Sequence, residues 1–231
     1  GIDIGGTSVK IGLVNENGEV LKSNNYSVSF DNYNTPIFET VKKSIKVFLQ
    51  DNNILENSLS GIGVSATGQV NSNYGVIVGV GGNIKNWCGT EIKKELEEIY
   101  KVKTTVINDA NSMVIGEKWV GKAKGYNNVI GITIGTGVGG GIIVDSKILL
   151  GNIGIAGELG HFSIDANGKK CTCGNIGCYE QYASMTALIK EVIKEYDVIS
   201  NLLPKKEEIN GKYIFEELDK GNIKIKEIVD K

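Results

Sequence analysis

Residues Ile2–Val14, IDIGGTSVKIGLV, decide the fold. Ile2, Ile4, Val9, Ile11 and Leu13 alternate with polar or small residues, the period-two pattern of strands with one buried face. Gly5-Gly6 interrupts the alternation and supplies a turn, so the stretch reads as strand, glycine turn, strand. Residues 132–144, ITIGTGVGGGIIV, lie over it without a gap: apolar, polar, apolar, glycine, turn, apolar strand. Internal similarity of this kind suggests two related α/β halves. The plainer alternative is that any two glycine-turn hairpins look alike.

Working outward, a third strand is expected around Glu19–Tyr26. Thr35-Pro36 then opens a helix whose apolar face is Val41, Ile45, Phe48 and Leu49, at helical spacing. Gly61–Ser65 reads as a short buried strand, followed by the turn Ala66-Thr67-Gly68-Gln69. Glu91–Tyr100 is amphipathic through Ile92, Leu96 and Ile99. Thr104–Ile107 is a strand that delivers Asn108-Asp109 at its carboxyl end, with a helix from about Ala110. Ser184 is placed to cap a helix carrying Leu188, Ile189, Val192 and Ile193. Pro204–Gly211 reads as a polar, lysine-rich loop. Ile214, Phe215 and Leu218 mark another helix, and Ile223–Lys231 begins one more. Strands alternating with helices give an α/β chain.

Composition narrows the function. The 231 residues are long enough for a sizeable core, as one large domain or two small ones. A net charge of −2 offers no footprint for nucleic acid or an anionic membrane. Glycine is abundant, 31 residues against 2 prolines, which favours close backbone approaches over a proline-rich linker. The uncharged run Asn128–Val144 is too short and too rich in glycine to span a bilayer. No secretory pattern precedes the first hairpin, and the cytoplasm is the expected compartment. The chain opens inside a strand pattern and stops mid-helix, so further residues are expected at both ends.

The chemistry concentrates in Ala156–Ser184, AGELGHFSIDANGKKCTCGNIGCYEQYAS. His161, the only histidine, is followed by Cys171, Cys173 and Cys178 in a C-x-C-x4-C arrangement. These are the ligand types and count of a tetrahedral Cys3His zinc site, in a spacing unlike a common finger. Four protein ligands leave no open position, so the site is expected to be structural. The second ring nitrogen of His161 remains for a partner outside the metal shell. Glu158 and Glu180 bracket the cluster, as solvated charges or as side chains that the metal orients. The two glycine turns, Gly5-Gly6-Thr7 and Gly135-Thr136-Gly137, each bring several backbone N–H groups together where an anion can settle. Asp3 can hold a divalent cation through water and Lys10 can offset phosphate charge. There is no G-x4-G-K-[ST] run, so this is not a P-loop. Asp109 is either a helix cap or a carboxylate that takes a proton from an attacking hydroxyl.

These pieces, in this order, resemble the ROK family of sugar kinases and sugar-responsive repressors, of the hexokinase–actin-like ATPase superfamily. The matching stretches are D-I-G-G-T-x-x-K from Asp3, G-V-S-A-T-G-Q-V from Gly63, N-I-K-N-W from Asn83, and N-D-A-N from Asn108. They continue with I-G-T-G-V-G-G-G from Ile134, A-G-E-L-G-H from Ala156, and C-T-C-G-N-I-G-C-Y-E from Cys171. The resemblance implies an α/β, two-domain actin-like ATPase (ribonuclease H-like) fold with a central cleft and a Cys3His zinc site. It divides the chain into a small domain, 1–107, and a larger one, 108–231, that continues beyond this length. It implies ATP-dependent phosphorylation of a hexose 6-hydroxyl, with glucose first among the sugars and Asp109 as the base. Phosphates and Mg2+ fall to Asp3, Gly5, Gly6, Thr7, Lys10, Thr136 and Gly137. The sugar falls to Gly68, Asn83, Asn108, Asp109, Glu158, His161 and Glu180. Zinc, on His161, Cys171, Cys173 and Cys178, shapes the sugar site without doing chemistry. A homodimer or homotetramer is implied. Ala66-Thr67-Gly68 departs from glucokinase-like members, many of which have a proline before that glycine. N-acetylmannosamine kinase, fructokinase and β-glucoside kinase stay open, as does a sugar-sensing regulator. A zinc-knuckle nucleic-acid binder is disfavoured by the charge balance.

Overall fold

The computed structural model describes residues 1–28, 31, 33–79, 84–195 and 208–230. The opening stretch forms β1 (Ile2–Ile4) and β2 (Ser8–Val14), antiparallel across the glycine turn. Ile2, Ile4, Val9 and Ile11 are buried while Asp3 and Lys10, opposite each other in register, are exposed. β3 (Val20–Ser27) follows as the expected third strand, antiparallel to β2.

α1 (Ile37–Asp51) starts directly after Pro36 and buries Val41, Ile45, Phe48 and Leu49, the stripe its spacing demands. β4 (Ile62–Ala66) pairs parallel with β1. An unanticipated hairpin of β5 (Gln69–Asn71) and β6 (Val76–Gly79) comes next; its strands are too short for periodicity to register. α2 (Ile92–Tyr100) buries Ile92, Leu96 and Tyr100. Ile99, expected on that face, is exposed, because the i, i+4 spacing from Leu96 selects Tyr100. β7 (Thr104–Asn108) pairs parallel with β4 and runs straight into α3 (Asp109–Trp119).

The main sheet has the order β3-β2-β1-β4-β7. Ile4 faces Ala66 and Ala66 faces Asn108 in the parallel ladders. Register thus brings the Gly5-Gly6 turn, the Thr67-Gly68 turn and Asp109 to one end of the sheet, outside the carboxyl ends of its parallel strands. That is where open α/β sheets bind ligands.

The second hairpin is β8 (Val129–Ile134) and β9 (Val138–Val144), with β10 (Lys147–Ile148) beside β9. It repeats the shape of the first but not its burial. Ile132 and Ile134, which align with the buried Ile2 and Ile4, are 54% and 60% exposed.

After it come α4 (Glu180–Ala183), α5 (Met185–Lys194), α6 (Gly211–Asp219) and α7 (Ile223–Val229). Ser184 caps α5 as expected, accepting the Ala187 N–H. Phe215 is exposed where Ile214 is buried. Of the expected loop at 204–211, residues 204–207 lie outside the described residues, Ile209 is buried, and Gly211 already belongs to α6.

Compactness divides the chain into unit 1, residues 1–131 with 140–157, and unit 2, residues 132–139 with 158–231. The core of unit 1 is built from the main sheet with α1, α2 and the fully buried Trp87. In unit 2, Val192, Ile209, Ile214 and Ile225 form an apolar cluster among α5, α6 and α7. Among the described residues, no helix is long and apolar enough to cross a membrane.

Candidate active site and metal centre

In unit 1 the site grows from the end of β7. Asn108 is the N-cap of α3, its side-chain oxygen accepting the N–H groups of Ala110 and Asn111. Capping is therefore done one residue before Asp109. The Asn108 amide reaches the other way, donating to the Gly68 carbonyl and to Asp109 Oδ1, both at 2.9 Å. One side chain thus links the helix start, the Gly68 turn and the candidate base. Gly68 itself sits at φ +95°, in the left-handed region that only glycine occupies without strain. The buried Trp87 supports the same turn by donating from Nε1 to the Thr67 carbonyl at 2.9 Å.

Asp109 keeps a solvent-exposed side chain, and its pKa is raised from the ordinary value. Desolvation by the surrounding chain is the main cause. The Ala110 N–H opposes it, the negative charge of Asp3 adds to it, and the Asn108 amide opposes it in turn. A carboxylate pushed toward its protonated form is a better proton acceptor than an ordinary surface aspartate. Asp3 is held by Ser65, whose hydroxyl donates to Oδ1 at 2.8 Å. The β1–β2 turn is closed by the Gly5 N–H on the Ser8 carbonyl, and Tyr33 donates to the Gly6 carbonyl at 2.8 Å. Asn83 lies outside the described residues.

Unit 2 carries the second turn and the cysteines. The Gly135 N–H closes the turn on the Gly137 carbonyl at 2.9 Å, and Val138 donates its N–H to Glu180 Oε2 at 2.9 Å. Glu158 precedes a single 3-10 turn, Leu159–His161, whose Gly160 lies so close to the Val138 carbonyl that a Cβ would stand 2.1 Å from it.

The ligand atoms of His161, Cys171, Cys173 and Cys178 all lie within 4.8 Å of one another. Cys173 and Cys178 sulfurs are 3.6 Å apart, as are the Cys171 sulfur and His161 Nδ1. These distances suit four donors around one tetrahedral ion. As protonated groups they coexist poorly. Burial and the thiols of Cys173 and Cys171 push Cys178 up to about 12. Burial likewise acts to raise Cys171, yet hydrogen bonds from Cys173, Cys178 and His161 bring it to about 7. A cation replacing those protons resolves the conflict. The knuckle itself is shaped by glycine: at Gly177, φ +71°, a Cβ would stand 1.8 Å from the Asp165 carbonyl. Cys88 is exposed and is not one of these four residues.

The structure therefore groups Asp3, Gly68, Asn108 and Asp109 around one sheet end in unit 1. It groups Thr136, Gly137, Glu158, His161 and Glu180 with the cysteines in unit 2. Ser65, Tyr33 and Trp87 went unread as supports of these groups. Ser65 and Trp87 lie in the quoted stretches G-V-S-A-T-G-Q-V and N-I-K-N-W, whereas Tyr33 lies in none of them.

The chain is similar to several known proteins. The glucokinase of Thermotoga maritima is 33% identical over 227 residues, 96% of this chain and 70% of that protein. A Streptomyces griseus ROK family glucokinase, solved with glucose and AMPPNP, superposes with a TM-score of 0.77 at 29% identity, covering 96% of this chain and 71% of that one. A ROK family transcriptional regulator, a homologue of the Escherichia coli MLC protein, superposes with a TM-score of 0.84 at 25% identity, covering 99% and 57%. The ROK family profile matches residues 1–231, so the chain belongs to the ROK family, with its actin-like ATPase type of fold.

Proposed function

We propose that the whole protein transfers the γ-phosphoryl group of ATP to the 6-hydroxyl of a hexose, with glucose the leading substrate. The observation that carries this reading is the setting of Asp109. It stands at the carboxyl end of a parallel strand, directly after the N-cap Asn108, with a raised pKa. In the reaction Asp109 takes the hydroxyl proton as the sugar oxygen attacks the γ-phosphorus in line. The bond to the bridging oxygen breaks and ADP leaves with that electron pair.

Phosphates and Mg2+ are assigned to Asp3, Gly5, Gly6, Thr7 and Lys10, joined by Thr136 and Gly137. The sugar is assigned to Gly68, Asn83, Asn108, Asp109, Glu158, His161 and Glu180. The proposed domains of the whole protein divide near 107/108. Zinc is the proposed ion for His161, Cys171, Cys173 and Cys178. A zinc–sulfur bond of about 2.3 Å makes a tetrahedral sulfur–sulfur edge of about 3.8 Å, close to the 3.6 Å between the Cys173 and Cys178 sulfurs. When bound, zinc supplies a rigid anchor, since no coordination position is left for water.

A second reading, a sugar-sensing regulator without turnover, is favoured by the likeness to the transcriptional regulator. A coupled ADP-release assay with glucose, N-acetylmannosamine, fructose and a β-glucoside separates the two. Turnover highest with glucose supports the kinase. Sugar binding by calorimetry with no turnover on any sugar supports the regulator.

A further inference from the structure

Glu180 lies two residues beyond Cys178 and opens α4, yet its carboxylate is spent on the second glycine turn. Oε2 accepts the Val138 N–H at 2.9 Å. It packs so tightly there that a Cβ on Gly137 would stand 2.2 Å from it. The chain just after Glu180 adds two more ties. Met185 donates its N–H to the Gly135 carbonyl at 2.9 Å, and Thr186 donates its hydroxyl to the Thr136 carbonyl at 2.6 Å. From the other side of the cluster, Gly160, beside His161, packs against the Val138 carbonyl.

Turn 135–138 is thus gripped along its length by the two segments that carry metal ligands. The grip also selects which donors stay available. The Gly135 and Val138 N–H groups are consumed within the chain, whereas those of Thr136 and Gly137 have no partner among the described residues. Two adjacent open N–H groups on a fixed turn suit an anionic oxygen.

We propose that Glu180 is a positioning residue that ties the second glycine turn to the Cys3His cluster, so that the cluster controls nucleotide-phosphate affinity as well as the sugar side. The nucleotide half of this statement rests on the reading of the turn as a phosphate cradle; the tie itself does not. Oε1 remains for a sugar hydroxyl, so one carboxylate can serve both ends of the reaction. Preorganisation is the physical point: a turn held in place before the phosphate arrives loses less conformational freedom on binding.

The test uses the full chain as purified, with its metal content measured, and reads hydrogen exchange of the peptide covering 135–139 beside MgAMP-PNP affinity in the absence of sugar. Glu180→Ala is expected to raise amide exchange in this peptide by roughly ten-fold or more, and to weaken nucleotide binding by about ten-fold, the scale of one hydrogen bond to a charged group. Glu180→Gln retains an oxygen for Val138 and should keep exchange slow. Chelating the metal from the wild type should loosen the same peptide, and should add little in Glu180→Ala. Gly137→Ala should loosen it too, with a smaller added effect where Glu180 is already alanine. Unchanged exchange at 135–139 in metal-bound, folded Glu180→Ala overturns the tie. Faster exchange with unchanged nucleotide affinity supports the tie and overturns the phosphate-cradle reading of the turn.

Discussion

Asp109 and Asn108 show how one residue's place frees its neighbour. From the sequence alone Asp109 reads first as the cap of α3 and only second as a base. Asn108 is the N-cap, and Asp109 Oδ1 shares one of its donors, the Ala110 N–H, at 2.8 Å. Asp109→Asn should therefore lower turnover by about 10²–10⁴-fold, the usual contribution of a positioned base, while calorimetry still finds sugar binding. The sign of the stability change can be worked out. A carboxylate whose pKa is raised on folding binds its proton more tightly in the folded state. Its ionisation then costs stability as pH rises from the unfolded value through the folded one, and the cost persists at neutral pH. The neutral asparagine escapes it, so thermal unfolding at pH 7 should find the variant no less stable than the wild type. The acid limb of kcat/KM should fall with pH through a value above the ordinary aspartate range, and Asp3→Asn should move it downward by removing a neighbouring negative charge. A variant Asp109→Asn that loses sugar binding and melts early would make the residue structural.

At the level of elements, the first hairpin, α1 and β7 were legible because each buries one face, and burial on one face imposes a period on the residues. Ile2, Ile4, Val9 and Ile11 on the β1–β2 hairpin and the stripe of α1 show this directly. The β5–β6 hairpin was not legible, since three or four residues per strand carry too few repeats. The knuckle around the cysteines belongs to a third kind, written in glycine. Gly177→Ala would place a methyl group against the Asp165 carbonyl at a positive φ. The expected cost is roughly 2–5 kcal/mol from left-handed strain and overpacking together. Denaturant unfolding and metal analysis should show a destabilised protein with lowered metal content. Full occupancy at wild-type stability would mean that the knuckle has another shape.

At the scale of the whole molecule, the two compact units are held together internally by different means. Unit 1 has a large apolar core around its main sheet, while the apolar cluster of unit 2 lies among α5, α6 and α7, in residues 192–225 and their partly buried neighbours. The segment from Glu158 to Ser184 is therefore expected to depend on a metal held by its four ligands, as a small domain depends on a staple. About one zinc per chain is expected by elemental analysis of undenatured protein. Its removal should speed hydrogen exchange across 158–184 while the amides of β1, β4 and β7 remain protected. Undenatured protein without metal would remove the Cys3His assignment. The sequence by itself determined the longer strands, most of the helix faces, the candidate ligands and the family, because periodicity, ligand chemistry and motif order are properties of residue identity along the chain. Only the tertiary structure decided that Asn108 and not Asp109 caps α3, that Asp3 helps set the proton affinity of Asp109, and that Glu180 grips the turn at Gly137. Each joins residues far apart in the chain or chooses between neighbours, and strand register and packing, not local spacing, bring such groups within reach.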